Sequence, residues 1–446
     1  MATPPYTYVD VISGSQCIGD SLNFINSNFI NLDQAITFTV NDSATVDLTY
    51  STASRILSAN VKNNSIDNTK LTTDSVDNTK LTTDSVNTPQ LSSLSVTNSK
   101  LAFDGGSFCF RNKIINGDMR IDQRNAGAVV TLTNGATIYA VDRFLPYFGN
   151  AGEAATTQQR SSDGPSDFNN YLRFTVTTGD AFTGNDQSGI QQRLEGLNCG
   201  DLRWGTAAAK TITVSFWVRS SIAGTYLFSV NSRSPFARVY TTTYTINAAN
   251  TWEYKTITIP GDTTISNTWL VDNLVYLNLV WNLGLGSSWF ASNGSNSSWA
   301  NDNYVNSALQ DTFVQHGATT GATFDLTGVQ FEVGPTATPF EYRPIGTELA
   351  LCQRYYEKGY DLSSAIGVAG TPMTNERYIP FKVQKRAVPV ISAQSGQPLI
   401  LTGGSSGVFD ARFLDAYVEG WRFQFQTTAN LIDCAPYSYW QASAEL

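Results

Sequence analysis

Charge is scarce in this chain: only 15% of its 446 residues are Asp, Glu, Lys or Arg, against about a quarter in an average soluble domain. Its surface must therefore be largely Ser, Thr, Asn, Gln and Gly, a composition common on extracellular β-proteins. What charge there is leans acidic, to a net −9. Phosphate binding needs basic patches, so nucleic acid is not expected as a partner. Histidine is rarer still, with His316 alone. A Ser/His/Asp or Cys/His mechanism would have to use it, yet no GxSxG stretch accompanies it, and a zinc site lacks ligands. Cys17, Cys109, Cys199, Cys352 and Cys434 show neither a disulfide framework nor CxxC spacing and read as buried free thiols. No apolar run reaches about 18 residues, so no membrane insertion is expected. The opening MATPPYTYVDVISG has neither the basic nor the apolar region of a secretory signal. A chain of extracellular character without such a leader is expected to leave its cell by lysis or as part of a particle. GLGSS and GGSSG lack the lysine and the strand–loop–helix setting of a phosphate loop, and no Asp/Asn cluster has EF-hand spacing. No cofactor or metal is assigned, and calcium held by loop oxygens stays open.

What is present is a ladder. Val61, Ile66, Leu71, Val76, Leu81, Val86, Leu91, Val96 and Leu101 fall at every fifth position, inside decapeptides such as SIDNTKLTTD and SVDNTKLTTD. A helix collects apolar residues at a mean spacing near 3.6, and a heptad coil at 3.5. A strand alternates, so a step of five changes face. No single helix or sheet face can gather these rungs, but an extended chain wound around copies of itself can. Fixed-period repeats commonly mark units that cannot bury their apolar side without neighbours. The competing reading is a disordered polar linker, which the Asn, Asp, Ser and Thr content favours.

The remaining chain divides around that ladder. Region 1–57 contains a short helix expected over 21–36, where Leu22, Ile25, Phe29, Leu32 and Ile36 step as an a/d seam. An oligomeric coil and a small amphipathic helix against a sheet both fit it. Two short strands with an Asn-Asp turn are expected in 37–57, and the shaft occupies 58–104. Region 105–345 alternates in short strands rich in Val, Ile, Phe, Tyr, Trp and Thr, with turn residues every 8–12 positions, as in a β-sandwich or jelly roll. Region 346–446 opens with a helix that Thr347 caps and Gly359 ends, with Leu349, Cys352 and Tyr356 on one face. Strands are expected at 377–391, pushed toward a sheet edge by Pro380 and Pro389, and at 412–426. The chain is thus mainly β.

Several stretches, taken in order, resemble bacteriophage tail-fibre and receptor-binding proteins. FRNKIINGDMRIDQRN (110–125) with YAVDRF (139–144) is similar to the opening of their fibre domains. TVSFWVRSSIAGTY (213–226), NTWEYKTITIPGD (250–262) and GVQFEVGPTATPFEYRP (328–344) resemble the carbohydrate-binding-module jelly rolls in such proteins. TELALCQRYYEKGY (347–360), the terminal YWQASAEL and the decapeptide ladder resemble their virion and shaft segments. The resemblance implies an elongated homotrimeric fibre with its N-terminal region on other tail or baseplate proteins and its C-terminal β domains outward. It also implies a virion location after assembly in the host cytoplasm. The ladder alone asks only for more than one chain; the number three comes from the resemblance.

Three functions follow. The first is a structural fibre that attaches to a host-surface polysaccharide. Sugar sites combine aromatic faces with a few polar groups, and WNLGLGSSWFASNGSNSSWANDNY (281–304) offers both. Trp289, Phe290, Trp299 and Tyr304 stand there without the alternation that buries aromatics, and Asn301 and Asp302 can reach hydroxyls. The alternative is that these rings tuck back onto the sandwich or fill a subunit interface. Trp217 and Trp252, in alternating strands, are expected in the core. The second function is a glycan depolymerase, which needs two carboxylates about 5–9.5 Å apart; Glu153, Glu195, Asp272, Asp302 and Asp311 are acidic residues available to one. The third is a head or baseplate decoration fibre without a receptor. No catalytic residue is assigned. Replacing Leu71, Leu81 and Leu91 with Ser is predicted to stop self-association while leaving the jelly roll folded. Light scattering after size exclusion checks this, and an oligomer of unchanged mass and melting temperature contradicts the intertwined shaft.

Overall fold

The computed structural model describes residues 46–51, 56–61, 110–132, 138–149, 154–232, 238–264, 268–301, 304–362, 365–366, 374–394, 401–403, 410–426 and 433–446. The chain forms two compact units, Met1–Ser95 and Val96–Leu446.

In the first unit, β1 (Val46–Ser51) and β2 (Ile56–Val61) pair antiparallel, from Val46 opposite Val61 to Ser51 opposite Ile56. The pair therefore sits later in the chain than the expected 37–57, with its connection after Ser51. Val61, the first rung of the ladder, ends β2 and is 59% exposed. The other eight rungs and the seam Leu22, Ile25, Phe29, Leu32 and Ile36 lie outside the described residues, as do Cys17 and Cys109.

The second unit is mainly β. Its strands begin with β3 (Val130–Leu132), β4 (Leu145–Gly149), β5 (Ala154–Arg160), β6 (Tyr171–Thr178) and β7 (Gln187–Glu195). They continue with β8 (Ile212–Ser220), β9 (Gly224–Ser232), β10 (Arg238–Ile246), β11 (Glu253–Ile259) and β12 (Val275–Leu285). A short parallel pair, β13 (Phe290–Ala291) and β15 (Val305–Asn306), flanks β14 (Trp299–Asn301), and β16 (Thr323–Val333) closes the series. They form two six-stranded antiparallel sheets, β14-β10-β9-β12-β7-β4 and β11-β8-β16-β6-β5-β3. Alternation explains the packing between them. Ile212, Val214, Phe216 and Val218 of β8 point inward, as do Tyr226, Phe228 and Val230 of β9 and Leu277, Leu279, Trp281 and Leu283 of β12. Trp281 is the hub, with ring centroids 5.6 Å from Phe216 and 5.2 Å from Phe228. Among the described residues no helix is long and apolar enough to cross a membrane. Cys199 and Cys352 are buried free thiols, and burial pushes the Cys199 thiol up to about 12.

The C-terminal region corrects several details of the sequence reading. The helix spans Ile345–Gln353 and starts directly after Pro344, so Thr347 lies inside it rather than capping it. Gly359 does not end the helix; it lies within β17 (Tyr356–Leu362). A Cβ there would come 2.4 Å from the Trp440 ring, so the glycine serves the close approach of that indole. Tyr356 consequently belongs to the strand, while Leu349 and Cys352 do share a cluster with Ile115, Ile121 and Tyr355. After β18 (Ala365–Ile366), the expected single strand at 377–391 is two, β19 (Thr374–Pro380) and β20 (Val390–Ala393), each bounded by one of the prolines. Both lie at sheet edges. β21 (Leu401–Gly403) follows, then the hairpin β22 (Asp410–Ala416) and β23 (Gly420–Gln426), and β24 (Asp433–Ser443) pairs with β17, β18, β20 and β21.

A polar junction holds these sheets to the sandwich. Glu195, at the end of β7 and buried, accepts hydrogen bonds from Arg354 at 2.9 and 2.6 Å and from the Tyr355 hydroxyl at 2.6 Å. Buried Arg143 donates to Glu445 and to the Arg193 carbonyl, and its guanidinium lies 3.6 Å from the Tyr355 ring centre. Arg124 sits 3.6 Å from the Tyr356 ring centre and 2.9 Å from Glu445. Asn116 bridges the Ile121 and Asp142 carbonyls at 2.8 and 2.9 Å. Burial pushes the Asp142 carboxyl up to about 6 despite Arg124 and Gln123 beside it.

His316 is fully buried, 6.2 and 6.0 Å from the ring centres of Phe174 and Phe324. Neither ring nitrogen has a partner at full hydrogen-bond geometry, and burial lowers the imidazole to about 4 from an ordinary 6.5, which a weak main-chain contact from Thr323 only partly offsets. Between those two values the unfolded chain binds the proton and the folded chain does not. Stability from this group is therefore complete above pH 6.5 and is lost as the pH falls toward 4. His316→Leu should remove that loss, about 3 kcal/mol at full extent. Urea melts at pH 7 and pH 4 check it: the wild type should lose more than the variant, and equal losses would refute the assignment.

Candidate functional site

The same alternation that fills the core sets an aromatic face on the opposite side of β8. With Phe216 and Val218 inward, Trp217 and Arg219 must point out. On the neighbouring edge strand Ile257 and Ile259 pack near the core, so Tyr254 points out directly opposite Trp217. Their ring centroids are 5.5 Å apart at 48°, and Tyr254 is 44% exposed. Trp252, half-buried just ahead of β11, stands edge-on to Tyr171 at 5.3 Å. This corrects the expectation that Trp217 and Trp252 are core residues. The pattern held the answer: Ile212, Val214, Phe216 and Val218 form one unbroken apolar phase, whereas the Trp217 phase includes Thr213, Ser215 and Arg219.

Backbone exceptions extend the face. Between Thr327 and Gln330 the register of β16 against β8 shifts, and Gly328 adopts φ 59. A Cβ on Gly328 would sit 2.7 Å from the Phe168 ring and 3.0 Å from Trp217, so the two rings meet over a position that only glycine fits. Phe168 stacks on Tyr342 at 5.7 Å, and Tyr342 is 52% exposed.

Charges fix one end of this strip. Buried Asp325 accepts from Arg173 at 2.7 and 2.8 Å and from Arg219 at 2.8 Å. Arg219 also pairs with Asp163 at 3.0 Å and lies 4.7 Å from the Trp252 ring centre. Asp163, at φ 57, gives its carbonyl to the Trp252 indole N–H at 2.8 Å and its carboxylate to the Tyr171 hydroxyl at 2.9 Å. Desolvation works to raise the Asp163 carboxyl, but hydrogen bonds from Tyr171 and Arg219 hold it below its ordinary value. The result is a set of partly exposed rings held in fixed poses beside paired polar groups, with Arg219 Nη2 buried and without a hydrogen-bond partner.

The residues of 281–304 are distributed differently. Trp289 and Phe290 are half-buried against Leu227, Leu285, Val305 and Phe313, and the Trp289 N–H donates to the Asn185 carbonyl at 3.1 Å. Trp299 donates to the Pro260 carbonyl at 2.8 Å and packs 5.1 Å from Trp204 and 5.4 Å from Tyr240. Asn301 is exposed, and its side-chain oxygen accepts from Arg238 at 2.7 Å; Arg238 itself is paired with buried Asp262. Tyr304 is exposed, and Asp302 lies outside the described residues, as does Glu153. Of the acidic residues noted for a hydrolytic reading, Glu195 has both oxygens engaged by Arg354. Among the described residues no cluster of three His, Cys, Asp or Glu is placed to hold a metal ion.

No protein-family model matches the chain, and no curated protein matches it. Among solved structures, similarity is found to the enzymatically active domain of tailspike protein 4 of bacteriophage CBA120, at 11% identity and a TM-score of 0.25. That match covers 50% of this chain and only 21% of the tailspike chain. A family 11 carbohydrate-binding module of the Clostridium thermocellum cellulase Lic26A-Cel5E matches at 13% identity over 48% of this chain and 99% of the module, with a TM-score of 0.24. The K1 cleaved adhesin domain of Lys-gingipain from Porphyromonas gingivalis matches at 12% identity over 47% of this chain and all of that domain, with a TM-score of 0.21. At such scores the likeness names no family for this chain.

Gly328→Ala should force the Phe168 and Trp217 rings apart and strain the backbone, costing about 1–3 kcal/mol. Thermal unfolding followed by tryptophan fluorescence measures it. An unshifted midpoint would show that the two rings do not depend on this glycine.

Proposed function

We propose that this chain is a virion fibre protein that attaches its particle to a host-surface polysaccharide, with the face around Trp217, Tyr254 and Trp252 making the contact. The carrying observation is the outward Trp217–Tyr254 pair, 5.5 Å between centroids, on a sheet whose other side is the sandwich core. Pyranose C–H groups pack on such ring faces, and neighbouring polar side chains orient hydroxyls. The fibre part of the reading is supported by the period-five ladder and by the resemblance of the 110–144 and 347–360 stretches to tail-fibre proteins. In it the shaft trimerises, residues 1–57 dock on other tail or baseplate proteins, and the C-terminal β domains face the host. The 281–304 stretch, with Trp289, Phe290, Trp299, Asn301, Asp302 and Tyr304, is retained as a second candidate contact.

The test uses the full chain on a panel of immobilised neutral and uronate-containing oligosaccharides and on host cells. Trp217→Ala and Tyr254→Ala should each weaken binding about three- to tenfold, since one aromatic contact is worth roughly 0.5–1.5 kcal/mol. Unchanged binding in both variants would remove this face from the reading. Steady release of reducing ends by the wild type would favour the depolymerase instead, and failure of the wild type to bind cells would favour a decoration fibre.

A further inference from the structure

Resting on the reading of the Trp217 face as a glycan site, the balance of charges around it bears on the class of glycan. Four arginines stand near the aromatic strip, of which Arg120, by Tyr342, is paired with Asp118. Arg173 and Arg219 are both committed to Asp325, which is buried. Arg219 further donates to the Asp163 carbonyl and pairs with its carboxylate, and its Nη2 is buried away from solvent without a hydrogen-bond partner. Arg160 faces Tyr171. Drawing Arg173 or Arg219 toward a ligand would leave the Asp325 carboxylate buried with only part of its compensation, which is strongly unfavourable. Of the Arg219–Asp163 pair, the carboxylate is the more exposed partner. The Asp163 side chain is 57% exposed beside Trp252, and Asp167, also exposed, lies next to Tyr342, whose hydroxyl donates to the Asp167 carbonyl. The chain as a whole carries −9. A ligand lying along the rings therefore meets exposed carboxylates, while Arg173 and Arg219 are engaged underneath.

We infer that this face selects uncharged glycans over carboxylate-bearing ones, and that Asp163 is the residue that sets the preference. Its geometry suits the role. The Asp163 carbonyl holds the Trp252 indole and its side chain holds Arg219 and Tyr171, so the charge stands at a fixed distance from the ring on which a sugar would lie. Hydroxyls tolerate a neighbouring carboxylate as an acceptor, whereas a uronate carboxylate is repelled by it.

The experiment compares a neutral hexose oligomer with the same oligomer oxidised at C6 to the uronate, on full-length wild type, Asp163→Asn and Trp217→Ala. Wild type should bind the neutral form about tenfold more tightly. Asparagine also adopts the left-handed backbone readily and keeps the carbonyl, so Asp163→Asn should shrink the ratio to about threefold or less. On wild type alone, raising the salt from 0.02 to about 0.5 M should strengthen uronate binding and so narrow the ratio, because screening weakens repulsion. Equal or tighter uronate binding by wild type overturns the inference, as does a ratio that neither salt nor Asp163→Asn moves. If that uronate binding is lost in Trp217→Ala, the glycan face stands and only its selectivity has been misassigned. If wild type binds neither form, both the face and its selectivity fall.

Discussion

The second unit depends on a group of buried ion pairs at the end of β7. Glu195, Arg143, Glu445, Arg124 and Arg354 are charged side chains largely withdrawn from water, and withdrawal is tolerable only because each meets an opposite charge, a carbonyl or an aromatic ring. Arg143 has Glu445, the Arg193 carbonyl and Tyr355. Remove one member and its partner is left buried and uncompensated. Asn116 and Arg143 both hold positive φ, at 62 and 72; the first ties the Ile121 and Asp142 carbonyls together, and the second aims a guanidinium at Glu445.

On the outward side of β8, a single pleat decides what is core and what is surface. One phase of ITVSFWVRS buries four aliphatic or aromatic residues, and the other lifts Trp217 and Arg219 away from them. The shift of register at Gly328 then allows Phe168 to close beside Trp217. Fixed rings cost a ligand little ordering entropy, since both their poses and their polar neighbours are set before anything binds.

Much of this was legible in the sequence, and the parts that were not have definite causes. Short alternating runs identified a mainly β sandwich because alternation is local. The helix start was displaced from Thr347 to Ile345 because the segment is anchored by Arg343, which reaches Glu348 at 3.0 Å, rather than by a capping hydroxyl. Gly359 has the local look of a helix stop, but it answers to Trp440, a residue far along the chain. Phe-Trp-Val offers apolar residues in both phases, so the local pattern places Trp217 in the core, and only the longer run of Ile212, Val214, Phe216 and Val218 breaks the tie. The motifs that resemble fibre proteins had no visible purpose one at a time. Residues 116–124, 142–143, 354–356 and 445 become intelligible once the fold brings them to one junction.

That junction also bears on the order in which the unit assembles. Arg143 and Glu445 are 302 positions apart, and Glu195 and Tyr355 are 160 apart. Closing such long loops is entropically costly and slow, so contacts of this span form late. Within the sandwich, β8 with β11 and β9 with β10 pair over much shorter distances, although β16 reaches back to β6 from Phe324 to Phe174, and the sandwich has a core of its own to condense around. The C-terminal sheets should then dock onto a sandwich that already exists, and the ion pairs act as a final latch: until the last strand arrives, Arg143 and Glu195 remain hydrated, and only docking drives the water out.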